Sequence, residues 1–407
     1  MLIQISENLL LTAFILYVLS TIIYAIAVTG KKWANSDPKT HEQRFSRLGY
    51  VIGLVGFLAQ AGYVITRWIA GGHSPTSNMF EFMAFLAFCI ILAYLIIARI
   101  YPVTVLGLFA MPLGVIILAY ASVFPREVTP LIPALQSYWL QIHVTTAALG
   151  EGILAVGFAA GLMYLIRTVN QNVKSKSTLW LEIVISVVLM LIGFILVITI
   201  FGSLNHKTTF EFPKYKADGT VEQTLKVDYI LPAIAGPTDA KIVSPGLMNP
   251  LFEAPSWMEG KDAARKFNTM IWSVVSGLIL YGVLRLIARK RLAAVLQPTL
   301  EDIDPELIDE ISYRAIAIGY PVFTLGALIF AMIWAEEAWG KFWGWDPKEV
   351  WALIVWLFYS AYLHLRLSRG WIGTKSAWMS VAGFVIVLIT LVVVNLVIAG
   401  LHSYAGV

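Results

Sequence analysis

Apolar runs of about twenty residues recur along this chain from end to end, and they constrain its fold more than any other feature. A bilayer core about 30 Å thick is crossed by roughly 20 residues of α-helix at 1.5 Å per residue. The runs are too long for barrel strands, and lipid cannot satisfy free backbone groups, so only a helical bundle fits them. The sequence therefore predicts an all-α, polytopic membrane helical bundle of about ten transmembrane helices.

The predicted spans share this length and apolar character. They lie near residues 8–29, 48–70, 79–98, 103–123, 138–166, 179–202, 269–288, 315–337, 350–366 and 376–401. Short connections rich in Lys and Arg alternate with connections that hold few, which predicts that the basic ones are cytoplasmic and both termini extracytoplasmic. The cell inner (plasma) membrane is the expected location, with the thylakoid membrane as an alternative.

A polar insert at residues 203–268 separates two groups of predicted helices. Its six prolines favour an irregular or partly stranded extracytoplasmic cap over helices. The predicted organisation is thus about six helices at 1–202, the insert, and about four helices at 269–407. An acidic stretch at 301–310 is expected to form a solvated amphipathic helix before span eight.

Charge and cysteine content exclude several classes of protein. In such an apolar chain the net charge of +4 reflects the membrane topology and does not indicate nucleic-acid binding. Membrane lipid is the expected surrounding of most of the chain. The single cysteine, Cys89, lies within an apolar run, so the chain has neither an internal disulfide nor a CxxC metal or redox pair. Any redox chemistry would therefore need a cofactor.

The segment 334–351, which reads WAEEAWGKFWGWDPKEVW, concentrates five tryptophans and a phenylalanine between spans eight and nine. An interfacial aromatic belt accounts for any one of these tryptophans. The density of the set favours one continuous surface against a flat apolar molecule such as a porphyrin, with Gly340 and Gly344 leaving the backbone bare between the rings.

Asp346 within this segment has two interpretations. With Pro347 and Glu349 it has the spacing of an N-cap, an N1 proline and an N3 acid at the start of span nine. The alternative is a direct contact with a bound ligand. The two roles are compatible, because a cap would fix the angle of the loop over the membrane.

Two of the six histidines are predicted at matching depth on the outer side: His143 begins span five and His402 ends span ten. Two neutral imidazoles opposed across a bundle can ligate a haem iron axially and leave no open position for oxygen. His364 lies about 27 Å along span nine from Asp346, so it cannot share that pair. It is either an intramembrane functional residue or a snorkelling residue near the cytoplasmic interface.

These residues resemble the CcsA/ResC group of cytochrome c biogenesis proteins, the haem-handling membrane subunit of the system II cytochrome c synthase. The stretch WGWDPKEVWAL is similar to the WWD domain of that family. Further similarities are RWIAGGHSPTSNMFEF at 67–82, WLQIHV at 139–144, YLHLR at 362–366 and GLHSYAG at 400–406.

The resemblance implies that His143 and His402 are the axial ligands of haem b at the outer face. It implies that His364 ligates a second haem within the membrane, whose other ligand belongs to a ResB/Ccs1 type membrane subunit. The WWD residues expected to form the platform for the outer haem are Trp339, Trp343, Trp345 and Asp346.

The activity implied by the resemblance is transmembrane haem transport and presentation of haem to apocytochrome c. Thioether bonds would form there to the two cysteines of a CxxCH motif. The chain would then be the haem-handling subunit of a cytochrome c synthase (haem lyase), and no catalytic residue is assigned. Alternatives are a system I type haem-delivery or lyase subunit, a haem b transmembrane electron carrier, and a transporter without haem.

Overall fold

The computed structural model describes residues 1–30, 37–124, 126–128, 136–215, 221–255 and 263–394. Within these residues, ten helices are long and apolar enough to cross a membrane. This confirms the prediction of an all-α, polytopic membrane protein with about ten spans.

Six long helices precede the polar insert. They are α1 (Leu2–Thr29), α2 (Pro38–Gly71), α3 (Met79–Ile100), α4 (Thr104–Ala121), α5 (Tyr138–Thr168) and α6 (Lys176–Ser203). Helix α2 begins well before the predicted start at residue 48, because Asp37 accepts the Thr40 amide at 2.9 Å as an N-cap and Pro38 occupies the first helical position.

Five strands form in the described part of the insert. They are β1 (Thr208–Tyr215), β2 (Val221–Tyr229), β3 (Ala235–Gly236), β4 (Lys241–Ser244) and β5 (Phe252–Glu253). The first, second and fourth form an antiparallel sheet in the order β2-β1-β4, and β3 pairs with β5 in parallel. The insert is therefore partly stranded, which is one of the two forms expected from its prolines.

The described helices after the insert form four further long, apolar segments. The elements are α7 (Ala263–Ala288), α8 (Leu292–Leu296), α9 (Pro305–Thr324), a π-helical turn (Leu325–Phe330), α10 (Ala331–Trp339), α11 (Pro347–Arg369) and α12 (Thr374–Ile389), which a second π-helical turn extends to Val394. Helix α9, the first π-helical turn and α10 form one membrane-spanning run of 35 residues.

That run corrects the expectation for the acidic stretch 301–310. The stretch does not form a separate solvated helix: Asp304 caps α9, which starts at Pro305 and continues into span eight. Asp309 is buried and forms an ion pair with Arg366. A cluster of acids is locally typical of a solvated surface, and the buried partner lies 57 residues further along the chain.

The chain divides into two compact units. Unit 1 consists of Met1–Lys174, Ala293–Trp345 and Ala352–Val387. Unit 2 consists of Ser175–Leu292, Asp346–Trp351 and the described residues from 388 onward.

Buried side-chain hydrogen bonds connect the first helices of unit 1. Gln60 on α2 accepts the Tyr17 hydroxyl at 2.7 Å and donates to the Ala84 carbonyl at 2.9 Å, which links α1, α2 and α3. Ser20 donates to the Gly49 carbonyl at 2.7 Å. In lipid such bonds are worth roughly 0.6–2 kcal/mol each, and they fix which faces of the helices meet.

Helix α5 is the most enclosed of the ten described spans, since 83% of the residues in its most apolar stretch are buried. A Cβ at Gly150 would come within 2.6 Å of Phe323 Cα, and a Cβ at Gly152 within 2.7 Å of the Cys89 carbonyl carbon. The two glycines therefore allow α9 and α3 to approach α5 at backbone distance. This central helix carries His143.

Unit 2 pairs α6 with α7 and holds the insert on α7. A Cβ at Gly193 would come within 2.6 Å of the Gly277 nitrogen, so the two helices cross closely. Asn268 on α7 accepts the amides of Ile234 and Ala235 and donates to the Pro232 carbonyl. Around the sheet a small apolar core forms from Phe210, Val227, Tyr229 and Ala233.

Candidate functional site

The start of α5, about one and a half turns before His143, is fixed to the end of α10. Ser137 caps α5 by accepting the Trp139 amide at 3.1 Å, and its hydroxyl donates to Glu337 Oε2 at 2.9 Å. The Trp139 ring lies 6.0 Å from that of Phe330. These contacts place His143 beside the first part of the tryptophan-rich segment, residues 334–345, which belongs to the same unit.

The imidazole of His143 has a defined tautomer. Its Nδ1 lies 2.9 Å from the Gly326 carbonyl oxygen. A carbonyl can only accept, so Nδ1 carries the proton and, in the neutral ring, Nε2 carries the lone pair. This is the arrangement in which proteins present histidine to a metal, because the second-shell bond orients the ring and raises its basicity.

Trp334 holds the same imidazole from its flat side. The two ring centroids are 5.8 Å apart with planes inclined by 12°, and Trp334 is 2% exposed. A porphyrin bound through an imidazole nitrogen lies across the plane of that imidazole. Trp334 is therefore placed to support the ligand ring, and the predicted platform has to come from other side chains.

The remaining aromatic residues are partly exposed and are not coplanar. Trp343 and Trp345 meet edge to face, with centroids 5.9 Å apart and planes at 85°. Trp345 is 70% exposed with a positive φ of 58°, and Phe342 is 59% exposed. The set thus differs from the one continuous surface expected: it offers separate faces at right angles.

Asp346 is the N-cap of α11, which confirms the capping interpretation. Its Oδ1 accepts the Lys348 amide at 3.0 Å, and its own amide donates to Glu349 Oε2 at 3.2 Å. This reciprocal pair is a capping box, worth about 1 kcal/mol. The role of Asp346 as a haem contact stays a prediction.

His364 is held in an entirely different way. It lies in the last third of α11 with its side chain exposed, and within the described part of the chain its imidazole has no hydrogen bond and no ring contact. A histidine on the outer surface of a membrane-spanning helix is costly in hydrocarbon.

Two residues further along α11, Arg366 points into unit 1. Its guanidinium bonds to both carboxylate oxygens of Asp309, at 3.0 and 2.8 Å, and to Ser376 Oγ at 2.7 Å. It also lies 4.4 Å from the ring centroid of Tyr313. The charged pair is nearly buried, with side chains 11% and 12% exposed.

The two histidine environments lie far apart within unit 1. His143 contacts Gly326, and the Arg366 network contacts Asp309, which is on the same helical run as Gly326. The 17 residues between these two contacts correspond to about 25 Å along a helix. His143 and His364 therefore do not share one site, as the sequence predicted, whereas His402 lies outside the described residues.

A third histidine, His73, is buried at the end of α2. Its Nδ1 donates to the Ser74 carbonyl at 2.9 Å, and its buried Nε2 has no hydrogen-bond partner among the described residues. Nearby, Arg67 and Glu81 form a buried ion pair at 2.9 Å. Ser77 donates twice to Glu81, so the loop between α2 and α3 is held by an internal polar network.

The environment of His143 fits an axially ligated iron porphyrin. Within the described chain no three His, Cys, Asp or Glu side chains converge as a metal cage would require. A porphyrin brings four nitrogen ligands of its own and asks the protein only for axial groups, for which the His143 tautomer is suited. The buried Nε1 of Trp343 also lacks an acceptor among the described residues, and a bound group could supply one.

Sequence reasoning missed three of the residues that matter here. The sequence pattern assigns no site role to Trp334 or Gly326, and it places Asp309 only within the acidic stretch 301–310. Nothing local marks Gly326, since its role comes from a carbonyl and not from a side chain.

The chain matches the family described as "Cytochrome C assembly protein" over residues 76–211 and 269–402, more than half of its length. The chain belongs to this cytochrome c assembly protein family. The match resumes only at residue 269, so most of the polar insert lies outside it.

Several relatives carry the name cytochrome c biogenesis protein CcsA. That of Gloeothece citriformis is 31% identical over 351 residues, which is 85% of this chain and 84% of the relative. That of Synechocystis is 29% identical over 402 residues, 97% of this chain and 95% of the relative. That of Trichormus variabilis is 32% identical over 348 residues, 83% and 82% respectively.

These similarities confirm the resemblance to CcsA, and membership of the cytochrome c assembly family gives the chain its general role. It is a multi-pass membrane protein of cytochrome c biogenesis. Of the motifs quoted from the sequence, those around His143, the tryptophan-rich segment and His364 all fall inside the matched residues.

Proposed function

We propose that this chain carries haem across the membrane and presents it at the outer face to apocytochrome c. The observation that supports this most directly is the geometry of His143, whose Nδ1–H donates to Gly326 and whose ring stacks on Trp334. An imidazole held by both a hydrogen bond and a stacking contact keeps its Nε2 lone pair in one direction, so little side-chain conformational entropy is lost when iron binds.

His402 is the proposed second axial ligand of this haem, as the resemblance implies. Trp339, Trp343 and Trp345 are the proposed aromatic contacts, together with Asp346 at the start of α11. The exposed faces of Trp345 and Phe342 are available to a large apolar ring, while Trp339 packs edge to face on Trp334, with centroids 4.7 Å apart. Haem b is the proposed cargo.

The task of the chain in the reaction is to position the reactants. In each thioether linkage the cysteine sulfur bonds to one vinyl carbon and the thiol hydrogen is transferred to the other, so the addition is balanced without an oxidant or reductant. The chain would hold the iron from both faces and leave the vinyl edges open to the CxxCH peptide. No catalytic residue of this chain is required by that balance.

His364 is the proposed in-chain ligand of a second haem within the membrane, completed by a ResB/Ccs1 type subunit. Its exposed position on α11 supports this. The exposed residues Ile354, Leu357, Ala361, His364 and Ser368 follow one another at spacings of three and four. Such a stripe faces one direction from the helix, and Ala361 and Ser368 leave room on either side of the imidazole.

The membrane orientation is part of this proposal. With the basic connections on the cytoplasmic side, His143 lies at the outer face and His364 toward the inner one, and both termini are extracytoplasmic. The membrane is the cell inner membrane, or the thylakoid membrane in a photosynthetic cell.

The proposal is tested by replacing His143 with alanine and following cytochrome c maturation with the partner present. Removal of an axial ligand is expected to reduce maturation by more than about a hundredfold, since even second-shell partners of metal ligands contribute 10–100-fold. Added imidazole is expected to restore part of it, because it can occupy the vacated position. His41→Ala is the matched control, since that histidine contacts the Ile26 carbonyl and Phe45, far from this site in the sequence.

Unchanged maturation in His143→Ala, or a loss that imidazole never relieves while the haem spectrum stays that of the wild type, would remove the ligand role. A haem-free preparation of the wild-type chain after coexpression with the partner would remove haem from the account and favour a transporter.

A further inference from the structure

The π-helical turn Leu325–Phe330 interrupts the helical run between α9 and α10 where that run meets α5. In it the Gly326 carbonyl accepts the amide of Ala331, five residues on, in place of the α-helical partner four residues on. The same oxygen accepts Nδ1–H of His143, so both of its lone pairs are used.

We infer that this π-helical turn is the positioning device of the outer haem ligand, with Gly326 as its positioning residue. The inference deepens the proposed function and rests on it where the iron is concerned. It assigns two tasks to the turn: presenting a carbonyl to His143, and setting the rotation of α10 so that Trp334 covers the imidazole.

The first task depends on close approach of two backbones. A Cβ at Gly326 would lie 2.6 Å from the Thr146 carbonyl carbon, so any side chain there would push α5 away. Glycine is the one residue that brings this carbonyl within hydrogen-bonding distance of an imidazole on α5. The position of the glycine and the widened turn therefore serve the same contact.

The second task follows from helix geometry. A π-helical turn contains about one residue more than an α-helical turn, and each residue of a helix adds about 100° of rotation. In an uninterrupted α-helix Trp334 would face about 100° away from its present direction. Instead it stacks on His143, and Glu337, nearly one turn later, meets Ser137 at the start of α5.

The physical consequence concerns the electronic character of the ligand. An imidazole that donates Nδ1–H to a carbonyl is a more basic donor to iron, which favours the oxidised metal and lowers its reduction potential. Replacing His143 with Nδ1-methylhistidine retains the Nε2 lone pair but removes the N–H. Haem is expected to remain bound, with a reduction potential above that of the wild type.

Matched controls make this test specific. Nδ1-methylhistidine at position 41 is expected to leave the potential unchanged. A wild-type potential in the methylated His143 protein would overturn the inference. If His143→Ala purified without the partner keeps its haem, the proposed function fails; if that preparation loses haem while the methylated protein keeps the wild-type potential, only the inference fails.

A second measurement needs neither haem nor activity. In haem-free protein labelled with ¹⁵N-histidine, the His143 signals are identified by their absence in His143→Gln. The expected spectrum shows a protonated Nδ1 and an unprotonated Nε2 in one fixed tautomer. A protonated Nε2, or averaging between the two tautomers, would overturn the inference even if the methylated variant failed to fold.

Discussion

His143 and His364 occupy opposite ends of one unit and are supported in opposite ways. The imidazole of His143 donates to a backbone carbonyl and stacks on a buried indole, so the chain itself fixes its orientation. The imidazole of His364 is exposed and is supported only through its helix, whose rotation is set by Arg366 and Asp309. One imidazole is oriented in advance by the chain, and the other lies exposed on the outside of its helix.

The contrast indicates how much of each site the chain supplies. A preorganised ring reduces the entropy lost on ligand binding, which suits the proposed task of holding a large planar molecule while a second substrate arrives. An imidazole on the exposed face of a helix becomes fixed in orientation only when another helix packs against it and completes the site. Arg366 follows His364 by two residues, about 200° of rotation, so fixing Arg366 inward directs His364 outward.

The largest expected effect comes from breaking the network behind His364. Asp309→Asn would leave the Arg366 guanidinium nearly buried without its counter-charge, a loss of about 3–5 kcal/mol. The midpoint of thermal unfolding in detergent should fall, and haem bound together with the partner should decrease at the inner site first. Absorption spectra of the His143→Ala background isolate that inner site.

Glu310→Gln is the matched control for Asp309→Asn. Glu310 is the next residue and also pairs with an arginine, Arg314, but both side chains of that pair are largely exposed. Exposed pairs contribute about 0–1 kcal/mol, so stability and inner haem should both stay close to the wild type. Equal effects of the two substitutions would show that α11 is not oriented through Asp309.

The next largest effect is expected from replacing Trp334, whose indole stacks on the imidazole of His143. Trp334→Leu removes a buried indole and should cost about 2–3 kcal/mol of stability as well as loosening the outer haem. Trp345→Phe changes a ring that is 70% exposed, so stability should not move while outer haem affinity decreases. Haem titration combined with thermal unfolding separates the two, and equal stability losses would contradict the assigned roles.

A smaller effect is expected where α5 begins. Ser137→Ala removes both the cap of α5 and the bond to Glu337, and caps of this kind are worth about 1 kcal/mol. The ¹⁵N signals of His143 should broaden as the start of α5 frays, while inner haem is unaffected. An equal decrease at both haem sites would mean that the substitution acts on the whole fold.

The smallest effect is expected from a substitution in the strands of the insert. Hydrogen bonds from Lys207 and Thr209 lower the pKa of Asp228 below its usual value. A carboxyl with a lowered folded-state pKa stabilises the sheet above its unfolded-state pKa, and this stabilisation is lost as pH falls through the folded-state pKa. Asp228→Asn should remove this acid-dependent component from insert unfolding and leave the occupancy of both haem sites unchanged.

Features written into short stretches of sequence could be predicted, and features created by contacts between distant residues could not. Span length and apolarity are local, and so is the spacing of Asp346, Pro347 and Glu349, which correctly marked the start of α11. The π-helical turn has no local signature in the sequence, because its widened geometry depends on the close contact between Gly326 and the backbone of α5. The acidic neighbours of Asp309 predict a solvated side chain, whereas its ion pair with Arg366 keeps it nearly buried.

The haem content of four preparations tests the central claim most directly: His143→Ala and His364→Ala, each purified with and without the ResB/Ccs1 type partner. Without the partner, His364→Ala should keep the outer haem at about one per chain and His143→Ala should have none, because only the outer site is completed within the chain. With the partner, each variant should keep the site that the other loses. Retention of haem by His143→Ala without the partner, or loss of it by His364→Ala in the same preparation, would contradict the division between a self-contained outer site and a shared inner one.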